Sequence, residues 1–422
     1  MAAEQMKISL DELAELEGTK PVAELLVAYK TLVFTEGSDA DVVKLKERAI
    51  GKIASLLLKE KNGKGLSDLL SELRPLFTTI PKAKTAKIVR LVIDTLAKIE
   101  GTTELQVALC KEQVEWARQE KRTFLRQRIE ARLGMLYLET REFTAAISLI
   151  GTLLTEVKRL DDKLLLVDVH LLESKVHHAL RNIPKAKAAL TAGRTAANSI
   201  YVPPTVQCQI DMQSGILHAV EKDYKTAYSY FFEAFEQFSA LEDPYAVNAL
   251  KYMLLCKIMM NKTDDVTSII NSKGGLKFVG VDTEAMKAVA AAHITRSLSA
   301  FEEALQTYKP QLGDDPVIET HLKDLYGTLM EQNLCRLIEP YSKVEIAHLA
   351  ALIELPAPSV VSKLSQMILD KKFAGILDQG AGCLLVFDDA PVDKIYNASV
   401  DTIVNMSKVV DSLYVKSQKI VA

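Results

Sequence analysis

Residues 132–150, RLGMLYLETREFTAAISLI, carry a pattern that two later segments of the chain repeat without gaps. These segments are LESKVHHALRNIPKAKAAL at 172–190 and QSGILHAVEKDYKTAYSYF at 213–231, so the offsets are 40 and then 41 residues. Self-similarity at a fixed period of this size is typical of repeat proteins in which each repeat is a pair of packed helices. We therefore expect the chain to fold mainly as a helical repeat array.

The repeated positions hold small and large side chains in an order that fits two crossing helices. A small residue allows two helix backbones to approach, and a larger one fills the groove between them. The positions are, in turn, Gly134, Ser174 and Gly215; Tyr137, His177 and His218; Phe143, Ile183 and Tyr224; Ala146, Ala186 and Ala227; and Ile150, Leu190 and Phe231. This pattern predicts hairpins like tetratricopeptide repeats, with a period longer than the usual length of about 34 residues.

The pattern weakens towards both ends of the chain. Downstream, Asp265 and Ser268 occupy the apolar and alanine positions of the next repeat, and the second half of the pattern returns around Phe301. Upstream, residues 53–77 again read as two apolar helices joined by a glycine-rich turn. Stacked helix pairs are therefore expected well beyond the three clear repeats.

The composition limits the kinds of protein that this chain can be. It has 422 residues, 48% of them hydrophobic, with 52 basic and 55 acidic side chains and a net charge of −3. This hydrophobic content excludes wholesale disorder, and so small a net charge creates no overall field that would draw the chain to DNA or to an anionic membrane. The N-terminal residues are acidic and polar, and no run approaches the roughly 18 apolar residues that span a bilayer, so we expect a soluble intracellular protein.

No residue pattern predicts a catalytic, cofactor-binding or metal site. The five cysteines lie at least 48 residues apart and are expected to be small buried hydrophobes in a reducing compartment. His177 takes the ring position of its repeat, so we interpret it and His178 as packed histidines and not as ligands. Gly380 and Gly382 precede an apolar run typical of a strand, whereas a phosphate-binding glycine loop leads into a helix, so we predict a hairpin turn there.

Residues 363–389, KLSQMILDKKFAGILDQGAGCLLVFDD, change from helix spacing to two short apolar runs. The second half predicts a hairpin of strands 375–378 and 383–387. Before this segment, Ser342 and Glu345 have the spacing of a capping box that begins another helix. Three helices followed by a hairpin predict a winged helix.

The charge of this module argues against DNA binding. Residues 341–389 contain four lysines, six acidic residues and no arginine, which gives a net charge of −2. Contacts to phosphates and base edges depend on Arg and Lys, so we predict contact with protein, and a DNA-binding winged helix remains an alternative. The last apolar run predicts a strand that a neighbouring chain can extend along its edge. Its residues are Cys383, Leu384, Leu385, Val386 and Phe387.

From Pro391 onward the chain reads as one helix with apolar residues on two faces. One face is a heptad seam, in which apolar residues alternate at three and four positions. The seam residues are Tyr396, Ile403, Met406, Val410 and Leu413. The other face carries Val400, Val404 and Val415. One domain would not easily cover both faces, so we predict that the helix enters a helical bundle in an assembly.

One charged surface also stands out. Arg118, Arg122 and Arg126 are each four residues apart, a spacing that places them on one face of a helix. Nearby glutamates partly offset their charge. Two interpretations remain open, a solvated face with internal ion pairs or a docking patch for an acidic partner.

Together these patterns predict an all-α chain with four parts. They are an N-terminal tail at residues 1–20, a right-handed tetratricopeptide-like helical-repeat solenoid at 21–330, a winged helix with a small β-hairpin at 331–389, and a long C-terminal bundle helix at 390–422. A solenoid offers extended concave surfaces and rarely a closed, dry pocket, which favours a binding scaffold over an enzyme.

Six long runs of the sequence are specific enough to carry a resemblance to a known family. They are QEKRTFLRQRIEARL (119–133), LDDKLLLVDVHLLESK (160–175), LKYMLLCKIM (250–259), LMEQNLCRLIEPYS (329–342), KLSQMILDKKFAGILDQG (363–380) and TIVNMSKVVDSLY (402–414). Through them the chain resembles the PCI-class subunits of the 26S proteasome regulatory lid. The resemblance covers about residues 105–422, is weaker before about residue 60, and has departures at Ala374, Ala381 and Cys383.

The resemblance implies a PCI domain whose helical part begins near residue 225 and whose winged helix pairs with those of other PCI-class lid subunits. It also implies a C-terminal helix in a shared bundle, and an N-terminal arm that reaches the core α-ring and the ATPase ring. Contact with the lid deubiquitinase subunit and a location in cytoplasm and nucleus follow from the same assembly. No cofactor, nucleic acid or membrane is expected.

In this family the expected function is a non-catalytic scaffold that joins the regulatory particle to the core particle during ubiquitin-dependent protein degradation. The alternative is a PCI scaffold of a related translation- or signalosome-type complex, because such complexes share the architecture.

Overall fold

The computed structural model describes residues 22–34, 40–78, 80–99, 101–313, 315–353, 356–387 and 394–421. Within these ranges the chain forms helices and one small three-stranded sheet, which confirms the predicted fold class. It divides into two compact units, Met1–Cys256 and Lys257–Ala422. The predicted boundary after residue 330 falls inside a helix, Pro316–Ile338.

The first unit is a succession of helices. They are α1 (Val22–Phe34), α2 (Ala40–Lys59), α3 (Gly63–Leu73), α4 (Lys82–Ala97), α5 (Thr103–Gln119), α6 (Thr123–Glu139), α7 (Phe143–Leu160), α8 (Lys163–Ala179), α9 (Ile183–Asn198), α10 (Pro204–Val220), α11 (Tyr224–Ala240) and α12 (Ala246–Met259), the last of which crosses into the second unit. A short 3₁₀ helix, Pro75–Thr78, lies between α3 and α4. The three clear repeats are the pairs α6–α7, α8–α9 and α10–α11.

The turns inside these three pairs share one geometry. Arg141, Arg181 and Lys222 hold left-handed backbone, with φ of 63°, 58° and 66°. The N–H of the next residue then bonds to the carbonyl five residues back, at 2.9 Å from Asn182 N to His177 O, which closes a Schellman motif. Asn182 also caps the second helix with its side chain. One helix therefore ends and the next begins within a few residues.

The small residues of the repeat lie where there is no room for larger ones. Ala146, Ala186 and Ala227 have no exposed surface. A Cβ atom placed on Gly215 would lie 2.5 Å from the ring of Phe231, which is closer than side chains pack. The register of the repeat read from the sequence is therefore confirmed.

The core of the first unit grows by stacking from one helix pair to the next. One continuous apolar cluster extends from Leu25 to Val176, and a second continues from Val167 to Leu217. This arrangement is that of a solenoid, in which each repeat buries its apolar face against its neighbours.

The second unit begins with further helices and ends with the winged-helix module and the C-terminal helix. The helices before the module are α13 (Asp264–Ile270), α14 (Lys273–Leu276), α15 (Val281–Thr295), α16 (Leu298–Thr307), α17 (Lys309–Gly313) and α18 (Pro316–Ile338). Asp265 occupies a position that is apolar in the three clear repeats. An acidic residue is tolerated there because its side chain is half exposed and accepts a 2.8 Å hydrogen bond from Lys257. Phe301 and Ala304, where the pattern returns, are buried.

The winged-helix module follows the predicted order with one additional strand. Its elements are β1 (Lys343–Glu345), α19 (Ile346–Ile353), α20 (Ala357–Leu369), β2 (Ala374–Asp378) and β3 (Cys383–Phe387). The strands are antiparallel in the order β1-β3-β2, and the pairs run from Ala374 with Phe387 to Asp378 with Cys383. The predicted hairpin is confirmed, with Gly382 at a φ of 65° in its turn.

The predicted capping box at Ser342 and Glu345 is wrong. Residues 343–345 form β1, and the Ser342 carbonyl accepts a 2.9 Å hydrogen bond from the N–H of Val386 on β3. Extended backbone gives these residues a ladder of partners on β3 and buries the side chain of Val344. The helix therefore begins only at Ile346.

The C-terminal helix, α21, extends from Lys394 to Val421. Every side chain described between residues 395 and 418 is exposed. Within the described ranges, no helix combines the length and the apolar content that crossing a membrane requires.

The five cysteines carry free thiols, and all except the half-buried Cys335 are buried. Burial raises the pKa of the Cys256 thiol to about 12 and that of Cys110 to about 11. Such thiols stay protonated at neutral pH, so they behave as small apolar side chains. Four of the five are therefore the buried residues that the sequence predicts.

Candidate assembly surfaces

The helix α21 exposes the whole of its predicted heptad seam. Tyr396, Ile403, Met406, Val410 and Leu413 each keep between 59% and 69% of their surface in contact with solvent. Soluble chains rarely leave a continuous apolar strip of this kind uncovered. The exposure is the condition that an assembly role for this helix requires, and the bundle itself stays a prediction.

The second apolar face of α21 is exposed as well. Val400, Val404 and Val415 keep between 44% and 52% of their surface in solvent. At 3.6 residues per turn, the residues of the two faces together span an arc of about 200°, a little more than half of the circumference of the helix. A polar stripe lies on the opposite side of the helix, and its residues are Asp401, Asn405, Lys408 and Ser412.

All eight apolar residues predicted for the two faces of α21 are exposed, so covering them with a partner would release free energy. A large apolar side chain contributes roughly 1.5–3 kcal/mol when it becomes fully buried. One partner helix covers one face, so two faces in this arrangement can be satisfied only between at least two neighbours. This geometry favours a position inside a bundle over a simple helix pair.

The wing strand β3 cannot be extended by a neighbouring chain, contrary to the sequence-based prediction. It is the central strand of its sheet, so β1 occupies one edge and β2 the other. Cys383 and Leu384 are buried, and the N–H of Val386 is bonded within the chain. The sequence showed two apolar runs and gave no sign of the third strand, which lies 38 residues before the last one begins.

The edges open to an added strand in this described sheet are therefore those of β1 and β2. Backbone groups of an antiparallel strand alternate between its two neighbours. Because Val386 N–H points to β1, the groups of Leu385 point to β2, where they face Ile376. The N–H and C=O groups of Gly375 and Leu377 consequently point away from the sheet, and β2 can accept a strand there.

The charges of the module agree with a protein-binding role more than with DNA binding. Lys363 on α20, the helix that would enter a DNA groove, pairs with Glu331 on α18 at 2.8 Å. Both side chains are largely buried, so this lysine fixes the module to the preceding helix. Its positive charge is therefore not directed at an external phosphate.

The arginine face predicted from spacing does not exist. Helix α5 ends at Gln119 and α6 begins at Thr123, and Lys121 between them has a φ of 53°. Arg118 and Arg126 therefore lie on different helices and Arg122 lies in the turn. A spacing of four places residues on one face only within a single helix. Here the left-handed backbone at Lys121 separates two helices, so the spacing does not align the three arginines.

Two of the three arginines are engaged inside the first unit. The Arg122 guanidinium lies 4.8 Å from the centre of the Trp116 ring, and it donates to the Phe77 carbonyl at 3.2 Å. Its side chain is only 8% exposed.

Arg126 on α6 pairs with Glu156 on α7 and, at 3.6 Å, with Glu130. Of the two interpretations left open, internal pairing describes Arg122 and Arg126. Only Arg118 is well exposed, and it lies 3.9 Å from Glu130.

The histidine pair behaves as packed side chains. Both rings are half-buried on α8, and burial lowers the pKa of His178, which favours the neutral form. Among the residues that the structure describes, no group of three or more His, Cys, Asp or Glu side chains could hold a metal ion.

Sequence reasoning missed a cavity between α9 and α10. Its volume is about 250 Å³, and the polar side chains that line it include Lys187, Thr191 and Arg194 on α9 with Ser214 and His218 on α10. The available signal was the spacing of the three α9 residues, which fall four and three positions apart on one face. A short polar stripe on a repeat helix is ordinary, so this spacing alone does not predict a cavity.

Family models match three separate parts of the chain. Residues 6–140 match the N-terminal domain of 26S proteasome regulatory subunit RPN6, residues 305–388 match the PCI domain, and residues 392–418 match the RPN6 C-terminal helix domain. The last match covers most of α21, and the PCI match ends at the wing.

Curated relatives align over nearly the whole chain. The 26S proteasome non-ATPase regulatory subunit 11 homolog of Arabidopsis thaliana is 65% identical over 91% of this chain and 92% of that protein. The 26S proteasome non-ATPase regulatory subunit 11 of Dictyostelium discoideum is 49% identical over 97% of this chain and 99% of its own length. The 26S proteasome regulatory subunit RPN6 of Saccharomyces cerevisiae is 44% identical over 84% of this chain and 83% of its own length. With such identity over most of both chains, this chain belongs to the family of 26S proteasome non-ATPase regulatory subunit 11, also named RPN6.

Proposed function

We propose that this chain is a non-catalytic scaffold subunit of the proteasome regulatory lid, which joins the regulatory particle to the core particle and organises lid assembly for ubiquitin-dependent degradation. The observation that carries the proposal is the exposed apolar surface of α21 on two faces. Membership of the RPN6 family supports the same assignment.

A non-catalytic role is supported by the chemistry of the exposed surfaces of β2 and α21. The features that stand out are an unpaired strand edge and an apolar helix, and both suit protein contacts. The relatives are named non-ATPase regulatory subunits, which supports a regulatory role.

The proposed partners are distributed along the chain. Other PCI-class lid subunits bind β2 and α21, and the N-terminal arm reaches the core α-ring and the ATPase ring. The lid deubiquitinase subunit is a further neighbour in the same assembly. Work in this complex would place the chain in both cytoplasm and nucleus.

Co-sedimentation tests the proposal against a role in a translation- or signalosome-type complex. Tagged full-length chain is expressed in cells whose own copy is depleted, and lysates are separated by size. We expect the chain with the regulatory particle, and we expect depletion to lower the fraction of core particles that carry one. A chain that sediments with ribosomes or with a signalosome-sized complex, and leaves that fraction unchanged, would refute it.

A further inference from the structure

The cavity between α9 and α10 has the dimensions of a pocket for one side chain. Its volume of about 250 Å³ lies below the roughly 300–1,000 Å³ of pockets that bind drug-sized ligands. Leu190 and Leu217 supply apolar lining, and the other lining groups are polar or cationic. Thr191 is exposed, and Lys187 keeps about a third of its side chain in solvent, so the pocket is open to a partner.

Arg194 is held rigidly at this cavity. Its Nη1 donates to Tyr230 Oη at 3.0 Å and its Nη2 to Ser214 Oγ at 3.1 Å. The guanidinium also lies over the Tyr230 ring, 4.7 Å from its centre, and the His218 ring stacks on that same ring at 5.5 Å. Because these hydrogen bonds use two of the five N–H groups of a guanidinium, donors remain for a further acceptor. The side chain is 35% exposed, so that acceptor can reach it from solution.

The charges around the cavity favour an acceptor with a single negative charge. Lys187 and Arg194 line it, whereas three carboxylates lie close by without lining it. Glu221 pairs with Lys187, Asp211 lies 3.7 Å from Arg194, and Asp223 lies 4.0 Å from His218. For a dianion, the attraction of the two cations and the repulsion of the three carboxylates both double, since Coulomb energy is proportional to charge. Because the carboxylates already offset the positive charge of Lys187 and Arg194, little of it remains to compensate the second charge of a phosphate. A carboxylate therefore suits the pocket better than a phosphate.

We propose that this cavity binds the side chain of a glutamate from a partner protein, with Arg194 and Lys187 around its carboxylate and Leu190 and Leu217 against its methylene groups. A guanidinium recognises a carboxylate through parallel hydrogen bonds, and a rigid guanidinium loses little entropy on binding. The two leucines distinguish a glutamate side chain from a bare terminal carboxylate, which has no apolar stem. The site is independent of α21 and of β2.

The test follows the Arg194 Nε–H signal by NMR in full-length chain labelled with ¹⁵N-arginine. The probes are N-acetylglutamate N-methylamide, the matching glutamine compound, N-acetylglycylglycine and inorganic phosphate. We expect a saturable shift with the glutamate probe and at least tenfold weaker binding of each of the other three. Absence of a saturable shift would overturn the proposal, and so would tighter binding of phosphate or of N-acetylglycylglycine.

Two variants of α9 provide a matched pair. Thr191→Glu places a carboxylate inside the cavity, so the affinity for the glutamate probe should fall at least tenfold. Thr195→Glu adds the same charge one turn further along, at an exposed residue that does not line the cavity, and should change the affinity less than twofold. Both positions are exposed, so both melting temperatures should stay near that of the unmodified chain. An equal loss of affinity in both variants would mean that only general charge is involved, which contradicts a built site.

Discussion

Ala186 is fully buried on α9 at the small position of the repeat. Ala186→Leu adds three carbons to a packed helix crossing and should lower the free energy of unfolding by about 1–3 kcal/mol. Ala188→Leu makes the same change at an exposed residue of the same helix and should have little effect. Urea unfolding measures both, and equal stabilities would contradict close packing at this helix crossing.

Arg181 holds left-handed backbone, with a φ of 58°, in the turn between α8 and α9. This conformation costs a residue with a Cβ atom roughly 1–2 kcal/mol of conformational free energy, whereas glycine adopts it without strain. Arg181→Gly should therefore raise the free energy of unfolding by about 0.5–1 kcal/mol after the greater freedom of glycine in the unfolded chain is counted. Arg181→Ala keeps the Cβ atom and should give no gain. Destabilisation by glycine would show that the Arg181 side chain matters more than its backbone.

Asp168 on α8 gives the chain a pH-dependent term. Burial raises the pKa of its carboxyl from 3.8 to about 6, against the opposing charge of Arg128. Between these two values the folded chain keeps a proton that the unfolded chain has released, so this group's contribution to stability falls as pH rises through that window and stays low above it. The free energy of unfolding of Asp168→Asn, relative to that of the original chain, should therefore increase from pH 4 to pH 6. Above pH 6 this difference should stay constant. Urea unfolding at a series of pH values checks this, and a difference that does not vary with pH would contradict it.

At the residue scale, repetition made the sequence informative and its absence made it misleading. The buried alanines were predictable because they recur at one period, and each recurrence supports the others. The arginine face rested on a single spacing, and the helix end at Gln119 is marked by neither glycine nor proline. Lys121 takes left-handed backbone without a sequence signal, as Arg141 and Arg181 do.

At the scale of elements, the hairpin was predictable to within one residue, because a glycine-rich turn separates two apolar runs. The strand β1 was not, because three residues are too few to show alternation and the same residues match a capping box. Strand order was equally hidden, since pairing of β1 with β3 joins residues about 40 apart. The proposed docking edge therefore moves from β3 to β2.

The edge of β2 leads to a prediction about Leu377. Its N–H points away from the sheet, so Leu377→Pro removes a donor that only an added strand would use. Incorporation into the lid should weaken, while the melting temperature should change little more than in Leu377→Ala. Leu377→Ala loses the same side-chain packing and keeps the N–H, so it should enter the lid normally. Equal incorporation of the two variants, measured by native mass spectrometry, would rule out pairing at this edge.

At the scale of the whole molecule, the chain separates into parts that stabilise themselves and one that does not. The repeats bury their small residues, and the winged-helix module buries Val344 and Leu384. In contrast, α21 buries none of its described side chains between residues 395 and 418. The sequence predicted this division from two apolar faces on one helix. It could not predict the neighbours, because the groups that would cover α21 belong to other chains.

Loss of α21 should therefore cost the folded chain little. Truncation after Asp389 removes α21, whose described side chains between residues 395 and 418 are already in solvent, so the melting temperature of the remainder should stay within a few degrees. Scanning calorimetry of the two chains makes the comparison. Unfolding or aggregation of the truncated chain at ordinary temperature would place the helix in the core of its own domain.

Lid incorporation of full-length α21 variants tests the central claim most directly. The triple variant Ile403→Ser, Val410→Ser and Leu413→Ser changes the seam, and Asn405→Ala, Lys408→Ala and Ser412→Ala changes the polar stripe of the same helix. We predict that the seam variant keeps the melting temperature of the chain and is at least tenfold depleted from purified lid, while the stripe variant enters normally. Normal entry of the seam variant, or equal loss of both, would contradict an assembly role for this helix.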